Sequence, residues 1–256
     1  MIRPLILLSN DDGYQSLGIS LMRAALAKSA DVVVCAPDSE QSAASHALSL
    51  HRPLRLWQKT PGVWSVDGTP ADCVYVGLNG GGRVLSRRPD LVVSGINHGL
   101  NLGDDVFYSG TVAAAREGAL KGVPSIAFSA AYDADLEAVA VAAARVAFHL
   151  LQQRPKRPVL FNVNFPKGKN WSFRATRLGA RVYQDGVDYR KDPRGREYLW
   201  IGTSGPITHR AVAGSDTEAF DQGVVGITPL VLDLWGRADQ SEAEALASVA
   251  ALAPNG

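Results

Sequence analysis

Sulfur is scarce in this chain, with 2 cysteines and 2 methionines among 256 residues. Cys35 and Cys73 lack the paired spacing of a zinc knuckle or a disulfide framework, and Cys35 lies in an apolar run of buried-strand type. Both are expected to be reduced, buried thiols. An excess of one charge is also missing: 26 lysines and arginines face 25 aspartates and glutamates, a net charge of +1. That balance excludes a protein that grips a nucleic-acid polymer by bulk charge, and leaves open a small phosphorylated substrate held locally. Long apolar runs are absent. The N-terminal run covers only Leu5 to Leu8, short of the ~7–15 residues of a signal-peptide core. Ala138 to Ala144 is interrupted by Arg145, well below the ~18 residues of a membrane span. A soluble, cytoplasmic protein without a membrane partner is therefore expected. No Gly-x-Ser-x-Gly elbow is present, and no histidine is placed by sequence as the base of a serine nucleophile. No Gly-x-Gly-x-x-Gly opens the first helix, which ranks a dinucleotide-binding protein last.

Glycine is in excess, at 25 residues, about a tenth of the chain against a usual ~7%. Extra glycine signals tight loops or close backbone approach to a ligand. The apolar runs say where those loops fall. Pro4–Ser9, Asp31–Ala36, Asp90–Ser94, Pro124–Ser129 and Val159–Val163 read as strands buried on both faces. Ile19–Lys28, Pro70–Asn79, Val112–Lys121 and Leu136–Gln152 read as helices, and Leu54–Trp57 with Val63–Val66 as a hairpin. This alternation predicts an α/β fold. The expected architecture is a Rossmann-like, mostly parallel sheet flanked by helices in three layers, occupying residues 1–165 of a single domain. Residues 166–256 read as an extension. In it, Ser172–Tyr183 and Glu197–Gly202 form a protruding hairpin around a polar stretch, Gln184–Arg196. Val225–Thr228 and Val231–Leu234 read as short strands, and Asp239–Leu252 as an alanine-rich terminal helix.

Ligands of an open parallel sheet bind at the carboxyl ends of its strands. Three loops there are rich in short oxygen donors and glycine: Ser9–Gly13, Ala36–Ser45 and Ser94–Thr111. Asp11 and Asp12 are adjacent carboxylates whose repulsion a cation would relieve. With no cysteine or histidine cluster beside them, they point to a hard divalent ion. Ser109-Gly-Thr111 opens a helix, where free N–H groups and the helix dipole make an anion site; an N-cap role for Ser109 or Thr111 is the plainer alternative. A cation beside an anion site suits phosphoryl transfer. His46 and His98 lie on these loops, read first as hydrogen-bonding residues, with substrate contact or proton donation as the alternative. Asp104 and Asp105 read as a structural pair.

The motifs that follow in order along the chain are LLSNDDG, APDSEQSAAS, GTPADCVYVGLN, PDLVVSGINHGLNLGDDVFYSGTVAAAREG, DPRGREYLWIG and SDTEAFDQGVVGITPL. With them the chain resembles the SurE family of metal-dependent nucleoside-monophosphate phosphatases over nearly its whole length. The resemblance implies one divalent cation per subunit, Mg2+ or Mn2+ (or Ca2+ in crystals), held by Asp11, Asp12, Ser42 and Asn97. It also implies 5′- and 3′-nucleotidase activity, short polyphosphate as a further substrate, and homodimers or homotetramers built by the extension. Leu17 stands where many members carry proline, and Tyr14, Gln15 and Ser16 lie in a variable stretch close to the metal, so the shape of the substrate entrance, and with it base preference, is expected to differ.

The catalytic set expected on this basis is Asp11, Asp12 and Asn97, with Asn10, Asn97, Ser109, Gly110 and Thr111 at the phosphate. Asp11 or Asp12 would orient a water or take its proton. The rival reading is a receiver-type phosphate-accepting signalling domain. It needs an aspartate at the end of the third strand, where this chain has Ser94-Gly-Ile-Asn97, and a lysine after the fifth, where it has Asn162 and Asn164. An aspartyl-phosphate phosphatase would need Asp-x-Asp, and Asp11 and Asp12 are adjacent.

Overall fold

A computed structural model describes residues 3–183, 186–202 and 205–250. In the interior of its sheet, β1 (Leu5–Ser9) is flanked in parallel by β2 (Asp31–Pro37) and β5 (Leu91–His98). Beyond β2 lie β4 (Val63–Val66) and the antiparallel edge strand β3 (Leu56–Thr60). Beyond β5 lie the parallel strands β6 (Ser125–Ala130) and β7 (Leu160–Phe165). The expected mostly parallel α/β sheet is present.

Side-chain alternation on β1 divides the interior into two halves. Ile6 and Leu8 join Ile19, Met22 and Leu26 of α1 (Leu17–Leu26) and Val139, Ala143 and Ala147 of α5 (Leu136–Gln153). Leu5 and Leu7 turn to the opposite face, with Cys73 and Val74 of α2 (Pro70–Asn79) and Ala114 of α4 (Gly110–Leu120). All five side chains of β1 are buried, which explains why the strand reads as a continuous apolar run. Both cysteines are buried and free, and burial pushes the Cys35 thiol up to about 12, so neither is a reactive thiolate. A Cβ on Gly118 would stand 2.6 Å from Ser125 Oγ and 2.7 Å from Val92 Cγ2. Glycine there lets the small-residue helix α4 lie directly on the sheet.

The helix starts are capped locally. Ser16, Ser109 and Asp135 each accept a backbone N–H from the first turn of the helix that follows. Thr69 and Asp72 form a reciprocal capping box at α2, with Pro70 in the first turn.

The extension departs from the expected layout. Phe173–Ala175 is β8, at the edge of the main sheet, parallel to β13 (Val225–Leu230), which itself pairs antiparallel with β7. Thus β8 and β13 carry the nine-stranded sheet past residue 165, and the boundary drawn there does not separate core from appendage. Ser172–Tyr183 is not one hairpin arm. It supplies β8 and then β9 (Ala180–Val182), which pairs with β12 (Thr208–Arg210). The hairpin is β10 (Val187–Lys191) with β11 (Glu197–Ile201). Its first arm lies inside the polar stretch, of which residues 186–196 are described. Both arms are exposed over almost their full length, so no buried face imposed an apolar alternation on the sequence. Val231–Leu234 forms no strand. The terminal helix α7 covers Gln240–Ala250, and residues 251–252 of the expected helix lie outside the described ones. Two short helices, α3 (Asp105–Tyr108) and α6 (Asp216–Asp221), and a 3-10 turn at Arg237–Asp239 complete the order. Among the described residues, no helix is long and apolar enough to cross a membrane.

Candidate active site

The loops after β1, β2 and β5 meet at one edge of the sheet. Asn10 is fully buried in the first, donating from Nδ2 to the Gly13 carbonyl (2.9 Å) and to Ser16 Oγ (2.8 Å). It therefore ties the loop to the cap of α1. Its Oδ1 finds no partner among the described residues.

Asp11 is 5% exposed. Its Oδ2 accepts the Thr111 N–H at 3.0 Å and its Oδ1 accepts the Thr111 hydroxyl. Its carbonyl accepts the Gln41 N–H at 2.8 Å, joining the second loop to the first. Burial pushes the Asp11 carboxyl up to about 6; the neighbouring Asp12 adds to the rise, and the Thr111 bonds oppose it. Asp12 is less enclosed. Burial raises its carboxyl too, reinforced by Glu40 and opposed by the His98 N–H, which lies 3.4 Å from Oδ2. That contact brings the third loop in.

Ser42 is exposed and donates to Glu40 Oε1 at 2.7 Å, leaving its oxygen lone pairs available. Asn97 donates from Nδ2 to the Gly99 carbonyl at 2.8 Å, which leaves Oδ1 to accept or ligate. The glycines turn these loops. Gly95 has φ +118°, and a Cβ there would strike the Phe128 carbonyl at 2.3 Å.

Two adjacent carboxylates, both pushed upward, on a loop bonded to those that carry the Ser42 hydroxyl and the Asn97 amide, suit a hard divalent cation. Among the described residues no three histidine, cysteine, aspartate or glutamate side chains are grouped to hold a metal ion, so a site here needs the hydroxyl and amide oxygens of Ser42 and Asn97 as well. The family model that matches residues 6–185 is that of the survival protein SurE.

The chain belongs to the SurE family.

A relative from Sorangium cellulosum, 5′-nucleotidase SurE, is 60% identical over 96% of this chain and 97% of its own. One from an Anaeromyxobacter species, with the same name, is 50% identical over 89% and 90%. The crystal structure of the SurE protein from Aquifex aeolicus superposes with a TM-score of 0.81 at 38% identity, covering 95% of this chain and 99% of that one.

In this SurE chain the start of α4 differs from a fully open anion site. The N–H and hydroxyl of Thr111 are both committed to Asp11, so Thr111 is a holder of Asp11 and its donors are not free for phosphate. Ser109 is the N-cap, its Oγ accepting Val112 N–H at 3.1 Å while its own hydrogen has no acceptor among the described residues. Gly110 packs against Asp11: a Cβ would meet Asp11 Cβ at 2.9 Å. Asp105 is structural, accepting Arg181 Nη1 and the Tyr183 hydroxyl, both at 2.6 Å.

Three contacts of the SurE site escape sequence reading. His46 Nε2 lies 2.8 Å from Glu117 Oε2 on α4. The His98 ring sits edge-on to Tyr132, centroids 4.9 Å apart. Asp216 of α6 accepts the N–H groups of Gly103 (3.0 Å) and Gly179 (2.7 Å). Each partner lies far away in sequence and carries no local signature. For Glu117 the one hint was a carboxylate inside an otherwise alanine- and glycine-rich helix.

Proposed function

We propose that this protein is a divalent-metal-dependent 5′-nucleotidase, hydrolysing nucleoside 5′-monophosphates to nucleoside and phosphate. The observation that carries the reading is the adjacent pair of buried Asp11 and half-buried Asp12, with Asp11 tied through Thr111 to the start of α4. The relatives named 5′-nucleotidase SurE support the same activity. Activity on 3′-nucleotides and short polyphosphate belongs to the proposal, as do one Mg2+ or Mn2+ per subunit, a homodimer or homotetramer, and a cytoplasmic location.

Asp11, Asp12, Ser42 and Asn97 would hold the cation. When bound, it neutralises phosphate charge and lowers the pKa of water. The chain's own residues divide the remaining work. Two bonds from Thr111 fix Asp11 in one orientation, which makes it the anchor. Asp12 is less buried and less constrained, so it is the carboxylate that orients the attacking water and accepts its proton. The hydroxyl hydrogen of Ser109 and the first-turn N–H of Gly110 lie at the positive end of the α4 dipole. There they stabilise charge on the phosphoryl oxygens without reorganising. Asn10 shapes the loop beneath.

The receiver reading finds no support. The end of β5 has Ser94 and Asn97 where an acceptor aspartate is needed. At the end of β7, Asn162 and Asn164 bind the Asn101 carbonyl. Purified protein with Mn2+ or Mg2+ is expected to release phosphate from AMP and GMP, and a chelator to stop it. Asp11→Asn is expected to lose at least about a hundredfold in kcat, since one anchored ligand and its charge are removed. Equal release by wild type and Asp11→Asn across several metals would sink the proposal.

A further inference from the structure

Residues 38–55, between β2 and β3, contain neither helix nor strand. Ser42 lies in this segment, so its position depends entirely on side-chain and turn contacts. Two residues beside it, Ala43 (φ 56°) and Ser45 (φ 53°), occupy the left-handed region that non-glycine residues disfavour. Such a backbone persists only where its surroundings hold it. The N-terminal side is held by Gln41 N–H to the Asp11 carbonyl at 2.8 Å. On the C-terminal side, Ser45 donates from its backbone to the Tyr108 carbonyl (2.9 Å) and from Oγ to the Phe107 carbonyl (2.6 Å). His46 then reaches α4.

Glu117 is 2% exposed. The only hydrogen-bond partner of its carboxylate among the described residues is His46, at 2.8 Å; the Lys121 ammonium stands farther off, 3.5 Å from the other oxygen. An ionised carboxylate only accepts, so His46 Nε2–H is the donor. A buried carboxylate with a single close partner holds that partner firmly, because losing it leaves a charge without its bond. No chemistry proposed above uses this pair.

We infer that the His46–Glu117 pair is a positioning latch: it clamps the loop carrying Ser42 onto α4 and so sets the affinity of the site for a divalent cation. Neither residue touches the cation or the substrate. The inference rests on the metal site proposed above. It goes further by assigning control of that site to two residues outside the ligand set.

The test is calorimetric titration of the full-length protein with Mn2+, together with amide hydrogen exchange and steady-state kinetics on AMP. His46→Ala is expected to raise the Mn2+ dissociation constant about tenfold, the lower end of the effect of removing an outer-shell support. Exchange is expected to quicken across residues 38–50 and not across the sheet. At saturating Mn2+, kcat and the KM for AMP should stay within about twofold, since the pair acts only through the loop. Glu117→Gln, which keeps an acceptor, should recover most of the affinity. His46→Ala/Glu117→Ala should weaken binding no more than either single change, because both remove the same bond. If Glu117→Ala fails to fold, His46→Ala and Glu117→Gln still carry the test. Unchanged Mn2+ affinity in His46→Ala overturns the latch, as does faster exchange spread over the whole sheet. A fall in kcat at saturating metal with unchanged affinity overturns it in favour of direct substrate contact. Failure of the wild-type protein to bind any divalent ion overturns the metal site itself, and the latch with it.

Discussion

Gly110 governs how near the start of α4 can come to Asp11. A Cβ there would lie 2.9 Å from both Asp11 Cβ and Pro70 Cγ, and 3.1 Å from Asp11 Oδ2. Gly110→Ala therefore must displace either Asp11 or α2. A loss of about 1–3 kcal/mol in urea unfolding is expected from the overpacking, with AMP hydrolysis falling by more than the stability change accounts for. Wild-type activity in Gly110→Ala would mean that the spacing is not needed. The Glu117 carboxyl gives a prediction in pH. Burial alone would raise it, yet His46 and then Lys121 hold it below its ordinary value of 4.5. A carboxyl held low in the fold adds stability above its unfolded value, and that stability is lost as pH falls through its folded value. The unfolding free energy of wild type should thus exceed that of His46→Ala at neutral pH, with the gap closing below about 4.5. A gap that widens in acid would contradict the ionised pair. At this scale the sequence was informative about chemistry and silent about partners. Adjacent aspartates after a strand announce a charged site by themselves. That Thr111 would turn its donors to Asp11, 100 positions away in the chain, depends on tertiary packing that no local pattern encodes.

Secondary elements were legible wherever burial imposed a period. The five core strands, read as continuous apolar runs, are present because helices cover both sheet faces. The start of α2 was legible too, since Thr69, Pro70 and Asp72 each serve a defined capping role. Thr69→Ala is expected to cost about 1 kcal/mol in urea unfolding, the usual worth of a cap; no change would show that tertiary packing alone fixes the helix start. The β10–β11 hairpin was blurred because solvent faces both its sides, and the single-turn helix α3 because one turn is too short to show a period. Asp216 joins two elements that the sequence reading kept apart. It accepts N–H groups from Gly103 in the β5–α3 connection, Gly179 before β9, and Thr217 beside it, at 3.0, 2.7 and 2.8 Å. Asp216→Ala would strand these donors, and a loss of roughly 3 kcal/mol or more is expected from thermal or urea melts. A loss near zero would mean that water replaces the carboxylate at no cost.

For the whole molecule, strand order sets the place of the chemistry. From β1 the chain runs outward through β2 to the edge pair β3 and β4, then returns to β5 on the other side. The connections after β1 and β5 therefore leave in opposite directions and open a crevice at their carboxyl ends. Asp11 and Asp12 follow one of these strands and Asn97 ends the other, which is why glycines gather at this edge. The near-zero net charge agrees with a phosphate site served by a cation and backbone donors, without a basic patch. The extension differs from the core: Trp200, Ile201, Leu234 and Trp235 are 61%, 87%, 87% and 57% exposed. The homodimer or homotetramer proposed above would cover apolar side chains of this kind. Light scattering is expected to give a dimer or tetramer for wild type and a smaller species for Trp200→Glu; a monomeric wild type would contradict the assembly. The central claim is that Asp11, Asp12, Ser42 and Asn97 together hold one divalent cation. It is tested most directly by anomalous diffraction from crystals grown with Mn2+. The expected result is one strong peak per subunit within about 2.5 Å of oxygens from all four side chains, absent in Asp11→Asn. A peak elsewhere, or none at Mn2+ concentrations that support AMP hydrolysis, would contradict the account.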